Sequence, residues 1–268
     1  MTETTHRKRV VVKVGTSTLI HETGSLNLQN IDHLSRALSD LKGIGHEIIL
    51  VSSGAIGIGA CKLRMPQRPA QLRLKQATAA VGQCEMMHLY DKFFGEYGQT
   101  VAQILLTRED VDHPHRSENL KATFEALLEM GTIPVVNEND SVAFDEIETG
   151  RTKVLGDNDT LSALVAALVN AGLLILLSDI DGLFDGDPRS NPNARLIPAV
   201  HEINGAVRAI AGGNGTSWGT GGMSTKLDAA EIALENGIDM VITNGKNMEN
   251  LYKIVNGNPV GTLFSRTI

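Results

Sequence analysis

Two lysines and a short acidic cluster stand where their charge needs explaining. Lys13 interrupts the apolar run "RVVVKV" (9–14), and Lys226 closes "GTGGMSTK" (219–226). A charge inside an apolar strand is unfavourable unless an anion meets it. Lys226 heads an amphipathic run in which Met223, Leu227, Ala230 and Leu234 share a face. It therefore falls in a first helical turn, where a cation opposes the helix dipole. A bound phosphate would reverse that sign. Each lysine also has a plainer reading: an edge-strand lysine reaching solvent for Lys13, an ordinary exposed lysine for Lys226. The third feature is "GDND" (156–159), just before the apolar run "DTLSALVAALVNAG" (159–172). Taken alone it is an N-cap with acidic first-turn residues. An aspartate abutting so apolar a helix also lies close to a sheet rim, where it could pair with and orient a lysine.

The elements that must position these groups follow from periodicity. Short apolar runs at 9–14, 46–52, 100–106, 133–137, 173–179, 239–244 and 260–265 read as strands. Amphipathic or apolar runs at 27–45, 54–63, 71–96, 117–131, 159–172, 201–212 and 247–255 read as helices, as does the amphipathic run headed by Lys226 within 215–237, and 188–198 as a turn-rich loop. The alternation implies βαβ units, hence an α/β three-layer αβα sandwich around a mainly parallel sheet, in a single domain spanning 1–268. In such sheets ligands bind beyond the carboxyl ends of the strands. There the chain places Gly15-Thr16-Ser17, Ser53-Gly54-Ala55, Asn137-Glu138-Asn139-Asp140, Ser178-Asp179 and the 219–226 stretch. Glycines with small hydroxyl residues let backbone N–H groups approach an anion, although each could equally be an ordinary βα turn. The loop around 219–226 lacks the Walker spacing G-x-x-x-x-G-K-[ST]. Its long glycine-rich approach from Gly212 reads instead as a mobile flap over a nucleotide.

Bulk properties exclude several classes. A formal net charge of −7 and 4% aromatics disfavour nucleic acid as a partner. The N-terminus "MTETTHRKR" has no apolar core of a signal peptide, and the densest apolar run is too short to span a bilayer. A cytoplasmic setting without membrane association is expected. Cys61 and Cys84, 23 residues apart without CxxC spacing, read as reduced core thiols. His113 and His115 flank Pro114 in a stretch that reads as a loop, and no GxGxxG, HExxH or GxSxG motif is present.

Read together, "VVKVGTSTL", "VSSGAIGIG", "KQATAAVGQ", "LLTRED", "PVVNENDSV", "GDNDTLSALVA", "LLSDIDGLF", "DPRSNP", "GTGGMSTKLDAA" and "GTLF" resemble the amino acid kinase family across residues 10–264. Within it they are most similar to members that phosphorylate the γ-carboxylate of L-glutamate. The resemblance implies ATP and Mg²⁺ (the metal held mainly by the ATP phosphates, with no protein ligands), and the first step of proline biosynthesis. It also implies proline as feedback inhibitor, a homo-oligomer (dimer or tetramer), and possible hand-over of product to the next enzyme. By motif, Lys13 and Lys226 flank the phosphoryl group and Asp159 organises them. Ser53, Gly54, Ala55, Asn137, Asp140, Asp157 and Asn158 surround the amino acid. Lys13, Gly15, Ser178, Asp179, Thr220, Gly221, Gly222, Met223, Ser224, Thr225 and Lys226 hold the nucleotide. In the acidic stretch, Glu146 and Glu148 fit a solvated face. Three departures stand out: Ser178 where threonine is common, a longer segment before "GDND", and no sign of the additional C-terminal domain of longer members. A sibling acceptor (another carboxylate, a carbamate or a nucleoside monophosphate) and a non-catalytic sensor of the same fold remain open.

Overall fold

The computed structural model describes residues 8–142, 157–211 and 222–267. Eight strands, β1 (Arg9–Val14), β2 (Glu47–Ser52), β3 (Val101–Leu106), β4 (Ile133–Glu138), β5 (Leu173–Ser178), β6 (Ala199–Val200), β7 (Asp239–Asn244) and β8 (Thr262–Phe264), form one sheet in the order β3-β4-β2-β1-β5-β7-β8-β6. All neighbours are parallel except β7 and β8, which run antiparallel. The central strands are continuous Val, Ile and Leu runs because both faces are covered, as parallel sheets require. The helices are α1 (Thr16–Leu19), α2 (Leu28–Gly43), α3 (Ala55–Lys62), α4 (Leu72–Glu96), α5 (Arg108–Asp112), α6 (Pro114–Glu129), α7 (Asn158–Leu168), α8 (Gly205–Ile210), α9 (Met223–Glu235) and α10 (Glu249–Val255).

Strand alternation divides the core into two layers. Val10, Val12, Val14, Ile48 and Leu50 face α2, α4 and α10, meeting Leu34, Leu38, Tyr90, Phe94 and Leu251. Val11, Ile49, Val51, Leu174 and Leu176 face the other way, onto Phe124 of α6, Leu161 and Val165 of α7, and Leu227 and Ala230 of α9. This is the expected αβα sandwich. α3 and α4 cross backbone to backbone. A Cβ added at Gly59 or Gly82 would collide with the main chain of the facing helix, so neither glycine can be replaced without parting the pair. No described helix is long and apolar enough to cross a membrane.

Several details differ from the expectations, among them the short helices α1 and α5, which no periodic run announced. Pro114 is not in a loop: it opens α6, where its missing N–H is one of the helix's unsatisfied donors anyway. α8 is shorter than 201–212, because the Asn204 side chain accepts from Ala206 N–H and Val207 N–H and so fixes the start at Gly205. The two-residue β6 lies in a stretch with no strand-like run. Cys84 is exposed and Cys61 half-buried, so neither is a core thiol. The acidic stretch after Val142, with Asp145, Glu146 and Glu148, and the approach to the 219–226 loop, including Thr220 and Gly221, fall outside the described residues.

Candidate active site

The same alternation that sorts the core aims Lys13. It shares the Val11 face of β1, toward α7 and α9, and pairs in register with Val51 and Leu176. On that face the first turn of α7 presents Asp159, and the first turn of α9 presents Lys226. The three side chains meet. Lys13 Nζ lies 2.6 Å from Asp159 Oδ1, and Lys226 Nζ donates to Asp159 Oδ2 at 3.0 Å. Asp159 is 0% exposed and the two lysines 7% each. Lys13 is thus not a snorkelling edge lysine, since β1 is central, nor is Lys226 an exposed one. Burial by itself would raise the Asp159 carboxyl; the charges of Lys13 and Lys226 outweigh it and hold the group down at about 2. Two buried cations thus share one buried anion, with the Asp157 carboxyl near enough to feel both Asp159 and Lys13.

This triad sits where the strand order reverses, between β1 and β5, at the carboxyl end of β1. Beside it β2 ends in Ser53-Gly54-Ala55. Gly54 has φ +102°, a conformation disfavoured for other residues, and it caps α3. Ser53 N–H donates to Val14 O at 3.0 Å, tying this turn to β1. Asn158 Nδ2 donates to Ser53 Oγ at 2.8 Å. Beneath, Ser52 Oγ and the buried Tyr90 hydroxyl are 2.8 Å apart.

A cluster of acceptors lies in the same neighbourhood. Asp157 caps α7, accepting from Asp159 N–H through Oδ1. Among the described residues, Asn137 Oδ1, Asn158 Oδ1 and Gln83 Oε1 are buried with no hydrogen-bond partner, and Asp157 Oδ2 is buried beside them. Gln83, from α4, donates to Glu138 O at 3.2 Å, which sets its amide beside the end of β4. Buried acceptors of this kind are normally satisfied, and a donor-bearing ligand would satisfy them. Burial, and next the Asp159 charge, raise Asp157. Burial pushes Asp140 up to about 6 against the opposing charge of Arg68.

On the other side of the triad are the groups expected at the nucleotide. Gly15 stands close enough to Lys13 that an added Cβ would lie 3.7 Å from Nζ. Gly222 precedes α9 with no side-chain cap among the described residues, so the first-turn N–H groups of Met223, Ser224 and Thr225 are donors that an anion could take. The Thr225 hydroxyl is 2.8 Å from Gly222 O and 3.2 Å from Asp159 Oδ2, linking the start of α9 to the triad. Ser178 is buried at the end of β5; its hydroxyl donates to Asp179, which is exposed and paired with Arg189 at 3.1 Å. No group of three His, Cys, Asp or Glu among the described residues is placed to hold a metal ion. Sequence reasoning missed Gln83. It ends the "KQATAAVGQ" stretch; no residue spacing marked it as polar site material.

Residues 8–244 match the model of the amino acid kinase family. The chain belongs to the amino acid kinase family. Among family members, it is similar to a glutamate 5-kinase from Clostridium perfringens, 54% identical over 96% of this chain and 95% of that one. A glutamate 5-kinase from Clostridium acetobutylicum is 56% identical over 96% and 94%. Among solved structures, a UMP kinase from Bacillus anthracis superposes with a TM-score of 0.65 at 17% identity, covering 97% of each chain. At that identity the likeness speaks for the shared amino acid kinase fold.

Proposed function

We infer that the protein transfers the γ-phosphoryl group of ATP to the γ-carboxylate of L-glutamate, yielding γ-glutamyl phosphate and ADP, the first step of proline biosynthesis. The observation that carries this reading is the buried Lys13–Asp159–Lys226 triad lying between an open helix N-terminus and a cluster of unpartnered acceptor oxygens. The identity to glutamate 5-kinases over nearly the whole chain selects glutamate among acceptors sharing this apparatus.

The chemistry follows from the charges. A carboxylate is already ionised at neutral pH and needs no general base. Its oxygen attacks the γ-phosphorus, a new P–O bond forms, and the bond to the bridging oxygen of ADP breaks. The barrier is repulsion between the approaching anions and charge on the transferring group, so catalysis consists of positioning and electrostatics. Lys13 and Lys226 supply fixed positive charge on opposite sides of that group. Asp159 keeps them apart and in place without neutralising both. The Gly15 and Gly54 amides and the first turn of α9 add donors. ATP would enter with Mg²⁺ on its phosphates, where the metal would help to neutralise the charge of the transferring group. Ser53, Asn137, Asp140, Asp157 and Asn158 hold the amino acid, with Asp140 reading the α-ammonium group.

The same reading places the protein in the cytoplasm as one kinase domain acting as a homo-oligomer, inhibited by proline, with product passing to the next enzyme. A hydroxamate assay with ATP, Mg²⁺ and a panel of carboxylic acids tests the central assignment. Hydroxylamine traps acyl phosphates, so glutamate-dependent hydroxamate is expected. Product from aspartate or N-acetylglutamate instead, or from no acceptor, would overturn it.

A further inference from the structure

Lys226 does not hold Asp159 Oδ2 alone. The hydroxyl of the preceding residue, Thr225, lies 3.2 Å from the oxygen that the Lys226 ammonium group meets at 3.0 Å. It also lies 2.8 Å from Gly222 O, the carbonyl on which α9 begins. Ser224 is exposed, Thr225 half-buried and Lys226 buried. The first turn of α9 thus rotates successive side chains from solvent toward Asp159.

A threonine hydroxyl has one proton to give, and here Gly222 O and Asp159 Oδ2 compete for it. The choice matters because Asp159 is fully buried, and a buried carboxylate oxygen that loses its donor is costly. Lys13 pairs with Oδ1, so the balance turns on Oδ2. The hydroxyl reaches further as well. Burial and the Asp159 charge raise the Asp157 carboxyl; the Lys13 charge, the Thr225 hydroxyl and the Asp159 N–H oppose them.

Lys226 has two duties for one ammonium group. Before the reaction it pairs with Oδ2. During phosphoryl transfer it must meet negative charge on the transferring group, and that charge draws the ammonium group away from Asp159. Oδ2 then needs a second donor that does not travel with the lysine. Thr225 is placed to be that donor, and its β-branched side chain has little rotational freedom in a helix.

We propose that Thr225 is a positioning residue for phosphoryl transfer: its hydroxyl keeps Asp159 Oδ2 hydrogen-bonded, and the carboxylate in place, while Lys226 gives its charge to the transferring group. No covalent bond changes at Thr225; its proton turns from Gly222 O toward Oδ2. This role acts through Asp159 and is separate from the Thr225 backbone N–H, which stays available to the nucleotide. The inference rests on the phosphoryl-transfer role assigned to the triad above, whichever carboxylate is the acceptor.

Steady-state kinetics of Thr225→Val and Thr225→Ser test it. Thr225→Val keeps the shape and the backbone N–H but lacks the hydroxyl. Its kcat should fall roughly 5- to 20-fold, the worth of one hydrogen bond to a charged group, with both KM values within about threefold of wild type. Thr225→Ser, which restores the hydroxyl, should recover most of that loss. Unfolding midpoints close to wild type should accompany both. On a Lys226→Ala background, Thr225→Val should change kcat by less than about threefold. There no lysine remains to be drawn away, and water in the vacated space can serve Oδ2. A Thr225→Val kcat within twofold of wild type overturns the proposal. So does a raised ATP KM at unchanged kcat, which would make Thr225 a nucleotide contact only. A Thr225→Ser variant no better than Thr225→Val, or an undiminished loss with Lys226 absent, overturns it too. If the wild-type protein phosphorylates another carboxylate instead of glutamate, the acceptor assignment falls and the same variants decide this inference with that acceptor. No turnover with any acceptor overturns both.

Discussion

The two ends of the cleft solve opposite problems. At the phosphoryl end Lys13, Asp159 and Lys226 satisfy one another inside the chain, at 2.6 and 3.0 Å, and burial is tolerated because the charges are paired. At the proposed amino-acid end Asn137, Asn158 and Gln83 keep buried oxygens with no partner among the described residues, and Asp140 is raised to about 6 by burial. The charges of the first region pair within the chain; on the proposed function, the second region is completed by the amino acid. Pre-assembled charge suits a step whose transition state must be met without reorganisation. Unsatisfied acceptors suit a step in which binding must discriminate, because an ill-fitting ligand leaves them unpaired.

Substitutions should split along the same line, and Asp159→Asn should break it hardest. It leaves two buried ammonium groups without their shared anion. Stability should fall by about 3–5 kcal/mol, measured by urea unfolding, along with loss of turnover. Lys13→Ala should lower kcat by roughly 10²–10³-fold while glutamate still protects the protein against thermal unfolding; loss of that protection would mean that the two ends are not separable.

Asp140→Asn should do the reverse, raising the glutamate KM by about tenfold or more with kcat changed by less than about threefold. The pH profile sharpens this. Because the folded-state value of Asp140 is raised to about 6, the carboxylate is present above that pH and gains a proton as pH falls through it. In wild type, kcat/KM for glutamate should therefore hold above pH 6 and decline below it, and Asp140→Asn should lack that decline. The smallest effect is expected from Tyr90→Phe, which removes one of the partners of Ser52 beneath the Ser53-Gly54 turn. It should cost about 1 kcal/mol of stability, read by chemical denaturation, with the glutamate KM changed by less than about threefold.

Much of the fold was legible because both-side burial writes itself into continuous Val, Ile and Leu strands, and because the helices between them carry their apolar faces in register. The same alternation made Lys13 conspicuous and fixed which face it takes. Periodicity alone could not supply the meeting of Lys13, Asp159 and Lys226 from three elements up to 213 positions apart; only the family resemblance implied it, and it depends on β1, α7 and α9 packing on one face of the sheet. The ambiguity of "GDND" dissolves in the structure: Asp157 is the helix cap and Asp159 the inward anion. The two-residue β6 and the truncated α8 were illegible because pairing with β8 and an asparagine cap, rather than periodicity, define them. Gln83 escaped notice because a single polar residue on a helix acquires meaning only from what it faces.

The central claim is that the lysine pair serves the transferring phosphoryl group while the acceptor cluster serves the amino acid. Steady-state kinetics of Lys226→Ala with glutamate varied at saturating ATP test it most directly. The account predicts a kcat lower by roughly 10²–10³-fold and a glutamate KM within about threefold of wild type. Near-normal turnover, or a glutamate KM that climbs in proportion to the lost kcat, would contradict it.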